Sequence, residues 1–325
     1  MFYLLKKNYL LQVIALVAVV ATGCFFIFAH PIEVVGFEIW LQRLDAAMLS
    51  AIQTHPTGIK FSLFLILLVQ MWLLYRYIRV SGFMDEETVA PLAIALALPL
   101  GAGIFTPFSP VWITNLVILI VLNLNLNAQG KSSPTATLLS GVAIGIGSFF
   151  DYAAAVVLLY YIIFLLVNRL ERIKSVLVAL CGVALTYIYL FAYQVFAWSG
   201  YKFPELYVFP PLSFPMFTAT HLSIYALIAG ILFIILSLYI IIRLKVQYDN
   251  KLIALRQRYL FLCLLFVFAL AIILAGNFAF PYSLGYLIIP VACFIVAITP
   301  SHGFSIPLEI MLVLYVAAFI VMGWA

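Results

Sequence analysis

Charged residues are scarce in this chain. Of its 325 residues, only 8% are Asp, Glu, Lys or Arg, whereas 67% are hydrophobic. A soluble domain carries about 25% charged residues and needs them to cover its surface. The scarcity therefore excludes soluble enzymes, nucleic-acid-binding proteins and disordered scaffolds, and it indicates a polytopic α-helical membrane protein.

Cysteine is also rare. The four cysteines lie inside apolar runs, and neither a Cys-x-x-Cys motif nor a Cys/His spacing links them. The pattern therefore predicts neither a disulfide framework nor a zinc site. The phosphate-binding pattern GxxxxGK[ST] and the catalytic patterns HExxH and GxSxG are absent as well. We accordingly predict no nucleotide site.

Long apolar runs are what the chain has in abundance. A helix crosses the hydrocarbon core of a bilayer, about 30 Å thick, with about 20 apolar residues. Two runs, 89–126 and 135–167, would form helices about 57 Å and about 50 Å long, which is too long for a single crossing. The turn residues 106–110 and 148–152 are therefore expected to divide them. The predicted spans, about 11 in all, are 10–28, 61–78, 89–108, 111–126, 135–149, 152–167, 176–198, 223–242, 259–275, 284–299 and 307–323.

The basic residues support this division. With a cytoplasmic N-terminus, every Lys and Arg except Arg43, Lys60 and Lys202 falls in a cytoplasmic segment. The positive-inside rule requires this bias, and joining 135–167 into one span would reverse it for every later loop. Trp112 is expected at the outer boundary, in an aromatic belt. We predict one transmembrane domain over residues 1–325.

Three loops connect these spans at length: the external loops 30–60 and 199–222 and the cytoplasmic loop 243–258. Within the first, apolar residues recur at helical spacing from 37 to 52. This periodicity predicts an amphipathic helix that lies in the membrane interface. The charges of the cytoplasmic loop indicate an orientation anchor rather than a separate domain.

A small set of polar side chains is predicted to face the outside. The candidate catalytic acids are Glu33, Glu38, Asp45 and Asp151, and the candidate ligands of a lipid phosphate are Arg43, Lys60, Lys202 and His221. A carboxylate can act as a general base, and a cation can bind a phosphate. The alternative is that they are ordinary loop charges at a membrane surface.

Asp151 has two interpretations. It lies at the outer tip of the hairpin formed by 135–149 and 152–167. An acid so close to hydrocarbon is costly and is expected to have a function. Alternatively, it is solvated at the interface or caps the following helix.

Several short motifs occur in a fixed order in the middle of the chain. They are Ala97-Leu98-Pro99, Pro107-Phe108-Ser109-Pro110, Gly130-Lys131, the glycine-rich run 141–147 (GVAIGIG), Ser148-Phe149-Phe150-Asp151-Tyr152 and Asn168-Arg169-Leu170-Glu171-Arg172. The glycine-rich run is typical of a close helix-packing face. Together the motifs resemble an uncharacterised family of multi-pass bacterial inner-membrane proteins, over nearly the whole chain. They are also similar to the membrane half of GT-C glycosyltransferases, which use polyprenyl-phosphate-linked sugars.

These resemblances imply a GT-C-like arrangement of spans in the bacterial inner membrane. In GT-C enzymes an acid of the first external loop acts in catalysis, often with a divalent metal, which points to Glu33, Glu38 and Asp45. Three functions are hypothesised. The first is a non-catalytic or degenerate GT-C-like subunit in envelope biogenesis or secretion. The others are a polyprenyl-phosphate-sugar-dependent glycosyltransferase and a transporter. The expected partners are the lipid bilayer and either a polyprenyl-phosphate lipid or other membrane proteins.

Overall fold

The computed structural model describes nine segments and two single residues of the chain. They are residues 33–34, 56–83, 107–108, 111–126, 133–168, 172–197, 231, 235, 237–244, 253–275 and 282–298. The predicted spans 10–28 and 307–323, the predicted interface helix and the external loop 199–222 lie outside the described residues.

The described residues are helical apart from one short strand pair. The helices are α1 (Pro56–Ser81), α2 (Val111–Leu124), α3 (Pro134–Phe150), α4 (Tyr152–Asn168), α5 (Arg172–Ala197), α6 (Ile253–Ala275) and α7 (Ile288–Ile298), with a 3-10 helix at Tyr282–Leu287. Residues 237–244 are helical too. Three of these helices are long and apolar enough to cross a membrane: Lys60–Ser81, Arg172–Ala192 and Arg256–Ile273. The chain is therefore an α-helical membrane protein.

The helices extend further than the predicted loops allow. α1 begins at Pro56, so the end of the predicted external loop 30–60 is helical. Proline suits the first helical position because the N–H that it lacks would have no partner there. The predicted cytoplasmic loop 243–258 is helical at both ends, since 237–244 and α6 continue into charged residues. Long basic side chains permit this because their stems stay on apolar surface while the charge reaches water.

The predicted hairpin is present as α3 and α4. Each helix has 17 residues, and the single residue between them, Asp151, has extended backbone angles of φ −149° and ψ 123°. At the other end of α3, the side chain of Ser133 accepts a hydrogen bond from the Ala136 N–H at 3.4 Å, and Pro134 follows the cap. A serine cap followed by proline starts a helix, and one extended residue is enough to divide two.

α3 and α5 approach closely at two glycines. A Cβ atom added at Gly141 would collide with the backbone carbonyl of Ala179, and one added at Gly182 would collide with that of Leu138. At Gly145 a Cβ would lie 2.8 Å from Oγ1 of Thr186. The prediction that the glycine-rich run is a packing face is therefore confirmed, and its partner is α5.

The strand pair joins two segments that are distant in sequence. β1 (Glu33–Val34) runs parallel to β2 (Pro107–Phe108), with Glu33 opposite Pro107 and Val34 opposite Phe108. Residues 107 and 108 belong to the turn that was predicted at 106–110, and they are extended rather than helical. Proline lacks the N–H that a continuing helix would need, which favours a break in the helix at this point.

Two tryptophans differ in their surroundings. Trp112 is only 1% exposed, so it packs inside the protein and does not face lipid as a residue of an aromatic belt would. Its carbonyl oxygen accepts a hydrogen bond from Nε2 of Gln70 at 2.5 Å, inside the helix bundle. Trp72 is 58% exposed, and the guanidinium of Arg76 lies 5.7 Å from its ring centroid. This second arrangement suits a membrane interface.

Candidate functional site

Asp151 is buried at the turn between α3 and α4. Its side chain is only 1% exposed, and it accepts three hydrogen bonds. The N–H of Ala153 donates to Oδ1 at 3.0 Å, and the hydroxyl of Tyr286 donates to Oδ2 at 2.9 Å. The hydroxyl of Thr114 also donates to Oδ2. Both carboxylate oxygens are therefore engaged by the protein.

Three separate elements supply these donors. Thr114 lies in the first turn of α2, Ala153 in the first turn of α4, and Tyr286 in the 3-10 helix. Beside them, Nδ2 of Asn115 donates to the carbonyl oxygen of Gly285 at 3.0 Å. We call Thr114, Asn115, Asp151, Gly285 and Tyr286 the Asp151 cluster. It fastens α2 and the 3-10 helix to the tip of the α3–α4 hairpin.

Asp151 also completes both helices of the hairpin. Its own N–H donates to the carbonyl oxygen of Gly147 at 3.0 Å, which satisfies one of the last carbonyls of α3. Its Oδ1 accepts from the second residue of α4, in the manner of an N-terminal cap. The capping interpretation of Asp151 is thereby confirmed, and solvation at an interface is not what its burial shows.

Burial dominates the electrostatics of this carboxyl group, which lies outside both helices. Desolvation raises the pKa of Asp151 above its ordinary value of 3.8, because removal from water disfavours the charged form. The hydrogen bonds from Thr114, Ala153 and Tyr286 act in the opposite direction and offset part of this effect. The cluster also keeps an unused acceptor, since Oδ1 of Asn115 has no partner among the described residues.

A second polar group lies among α2, α3 and α4, close to the opposite end of α2. Nδ2 of Asn125 donates to Oγ of Ser140 at 2.9 Å and to the carbonyl oxygen of Val121 at 2.8 Å. Oδ1 of Asn125 accepts from the hydroxyl of Tyr161 at 3.2 Å. Such bonds hold helices together where the surroundings are apolar.

A cavity of about 40 Å³ adjoins this second group. It is lined by ten residues, among them Tyr77, Asn125, Tyr160, Tyr161 and Arg258. Nη1 of Arg258 donates to the carbonyl oxygen of Ser81, at the end of α1. The cavity thus lies where α1, α2, α4 and the beginning of α6 meet.

The predicted site residues are distributed as follows. Glu33 lies in β1, with only its backbone described, and Lys60 lies half-buried near the beginning of α1. Outside the described residues are Glu38, Arg43, Asp45, Lys202 and His221. The partners of Asp151 are uncharged, and none of them was among the predicted site residues.

Sequence reasoning missed Thr114, Asn115, Tyr286 and Arg258. A usable signal existed for the first two, because neighbouring polar residues inside the apolar run 111–126 must find partners in a helix bundle. Tyr286 gave no such signal, since tyrosine is common at the ends of membrane helices. Arg258 was assigned to a cytoplasmic loop and is instead in the second turn of α6.

Possible metal ligands and similarity to known proteins are two further guides to function. Within the segments that the structure describes, no three His, Cys, Asp or Glu residues come together as a metal site would require. No protein-family model, no curated protein and no solved structure matches the chain.

Proposed function

We propose that this chain is a non-catalytic or degenerate GT-C-like subunit that holds partners in envelope biogenesis or secretion. It would be a multi-pass protein of the bacterial inner membrane, with about 11 spans and a cytoplasmic N-terminus. The observation that carries the proposal is the state of Asp151, a candidate acid whose two carboxylate oxygens are both occupied by structural hydrogen bonds.

A general base must come within about 3 Å of the proton that it removes. Asp151 is 1% exposed, and its nearest donors are a threonine, a tyrosine and a backbone N–H of the chain itself. A carboxylate so buried and bonded at both oxygens is poorly placed to meet a substrate hydroxyl. The chemistry of Asp151 therefore supports a role in fixing the positions of α2, α3, α4 and the 3-10 helix.

The packing of α3 against α5 also suits a rigid framework. Glycines at 141 and 182 bring the two helix backbones into contact, and such contacts do not tolerate sliding. The hydrogen bonds of Asn125 hold α2, α3 and α4 in register at their other end. A framework fixed at both ends is better suited to presenting surfaces than to opening around a substrate.

α5 has the surface that a partner could use. Only 22% of the most apolar stretch of α5 is buried in the protein, against 44% of that of α1 and 39% of that of α6. Ile173, Ile188 and Tyr189 are 75%, 64% and 77% exposed. A large apolar surface on a membrane helix is covered either by lipid or by another protein, and a subunit requires the second.

Site-specific photo-crosslinking in native membranes tests the proposal. We expect a photoreactive residue at Tyr189 of α5 to yield one defined crosslinked polypeptide. The matched control is Leu159 of α4, which is 56% exposed and should crosslink to lipid alone. Recovery of an uncrosslinked monomer from both positions would count against a partner on α5.

The strand pair favours one alternative, a polyprenyl-phosphate-sugar-dependent glycosyltransferase acting at the outer face. Its register fixes the backbone of Glu33 beside Pro107, four residues before α2 and its Thr114. Under this alternative, Glu33→Gln, Glu38→Gln or Asp45→Asn would abolish a cell-envelope glycan while protein levels stay normal. Unchanged glycan profiles in all three variants would favour the non-catalytic subunit.

A further inference from the structure

The cavity among α1, α2, α4 and α6 contains one charged side chain, Arg258. The described residues that line it include no carboxylate that could neutralise this cation. Among the residues that the structure describes, Arg258 makes one hydrogen bond, from Nη1 to the Ser81 carbonyl oxygen. A guanidinium has five N–H donors, so most of its donor capacity is left for another group.

Tyr160 provides a second donor. Its side chain is 2% exposed, it lines the cavity, and its hydroxyl has no hydrogen-bond partner among the described residues. A buried hydroxyl without a partner is destabilising, because it has lost its hydrogen bonds to water and gained none in the protein. Such a group is often explained by a ligand or water that completes it.

The amide of Asn125, which also lines the cavity, is already bonded to the protein. Oδ1 of Asn125 accepts from Tyr161, and its Nδ2 donates to Val121 and Ser140. A ligand in the cavity would therefore meet a positive charge and O–H or N–H donors. We propose that it binds a phosphate oxyanion, with Arg258 and Tyr160 as its ligands.

The size of the cavity limits the ligand. Its volume of about 40 Å³ holds roughly three water molecules, at about 10–15 Å³ of such volume each. This is room for a single phosphate group and not for a sugar or a nucleotide. Apolar walls formed by Leu122, Phe164 and Phe261 suit the hydrocarbon part of a phospholipid beside that phosphate.

The position of the cavity agrees with such a ligand. Arg258, Leu126 and Tyr77 lie near helix ends that the proposed topology directs to the cytoplasm. Anionic phospholipids are concentrated in the cytoplasmic leaflet, and inorganic phosphate is available there. The same oxyanion chemistry therefore has two sources, a lipid headgroup and the free ion.

The test uses the purified full-length chain in detergent micelles, with unfolding followed by intrinsic fluorescence. One arm adds inorganic phosphate, and the other adds dioleoylphosphatidylglycerol, with dioleoylglycerol, which has no phosphate, as the control. The variants are Tyr160→Phe and Arg258→Gln. Their matched controls are Tyr189→Phe, on the exposed face of α5, and Arg243→Gln, whose guanidinium binds Tyr239 away from the cavity.

We expect an oxyanion to raise the unfolding temperature of the native chain and of both control variants. Arg258→Gln should raise the half-maximal concentration about tenfold and Tyr160→Phe about threefold, the losses typical of a charged and a neutral hydrogen bond. Without ligand, Tyr160→Phe should be as stable as the native chain or more stable, because it removes a hydroxyl that lacks a partner.

The Tyr160→Phe variant keeps the inference testable if Arg258→Gln does not fold. A response to phosphate that weakens in Tyr160→Phe assigns the free ion. A response to phosphatidylglycerol alone that weakens in the same way assigns the lipid headgroup. If neither compound shifts the unfolding temperature, or if Tyr160→Phe responds as the native chain does, the cavity is not an oxyanion site.

Discussion

The hydroxyl of Tyr286 donates to Oδ2 of Asp151 over 2.9 Å and joins residues 135 positions apart in the chain. The same oxygen accepts from Thr114 of α2, and the other oxygen caps α4. One side chain thus serves both a local turn and two tertiary contacts. Substitutions at Asp151 should therefore affect the whole bundle rather than one helix end.

Removing the Asp151 carboxylate should destabilise the protein strongly. Asp151→Ala loses a helix cap and the acceptor that Thr114 and Tyr286 share, which we expect to cost about 2–4 kcal/mol. Asp151→Asn keeps one acceptor oxygen, enough either for the cap or for the hydroxyls, and it should cost about half as much. Tyr286→Phe loses the bond to Asp151 and should cost about 1 kcal/mol. Reversible unfolding in mixed micelles measures all three, and equal losses for Asp151→Ala and Tyr286→Phe would contradict the ranking.

The stability of the native chain should depend on the protonation of Asp151. Because burial raises its pKa in the folded state above 3.8, the folded chain binds more protons than the unfolded chain between that value and the raised pKa. The free energy of unfolding should therefore fall as pH rises through this window. Asp151→Asn has no carboxyl group to titrate. The difference in the free energy of unfolding between the native chain and this variant therefore isolates the contribution of Asp151. A difference that grows in favour of the native chain with rising pH would have the wrong sign.

Filling the contact between α3 and α5 should separate the helices. Gly182→Ala places a methyl group against the backbone of α3, and overpacking of this kind costs about 1–3 kcal/mol. The neighbouring substitution Cys181→Ala changes an exposed position on the same helix and should leave stability within about 0.5 kcal/mol. Thermal unfolding of the two variants beside the native chain makes the comparison. Similar unfolding temperatures for both variants would show that the close contact is not required.

The proposed topology predicts opposite accessibility for Lys60 and Arg256. In a chain whose four cysteines have been replaced by alanine, Lys60→Cys should react with a membrane-impermeant maleimide on intact spheroplasts. Arg256→Cys should react only after the membrane is permeabilised, because cytoplasmic segments retain basic residues. Labelling of Arg256→Cys from outside would reverse the orientation of α6 and of the cavity near Arg258.

Local signals in the sequence located most of the described helices. Pro134 and Asp151 mark the beginning and end of α3, and both act through their immediate neighbours. Helix capping and proline geometry depend on a few consecutive residues, so they can be predicted without a structure. The glycine-rich run was also recognisable, because small residues have few other uses in an apolar helix.

The contacts that form the two polar sites could not be predicted in this way. Asp151 was identified as a candidate acid, but its burial depends on Tyr286 and Thr114, which come from distant parts of the chain. Arg258 was assigned to a loop because charge alone marks the cytoplasmic side and does not show where α6 begins. Tertiary packing decides both features, and a single sequence does not record it.

The two helices of the α3–α4 hairpin are short for membrane spans, and this bears on the burial of Asp151 at its tip. A helix of 17 residues is about 25 Å long, about 5 Å less than the hydrocarbon thickness of a bilayer. On the proposed topology, a hairpin this short brings its tip, with Asp151, to the edge of the hydrocarbon. Short spans usually meet such a mismatch by thinning the surrounding lipid. Thr114, Tyr286 and the Ala153 N–H already give the carboxylate its hydrogen bonds, so the tip does not depend on water that thinning would bring to it.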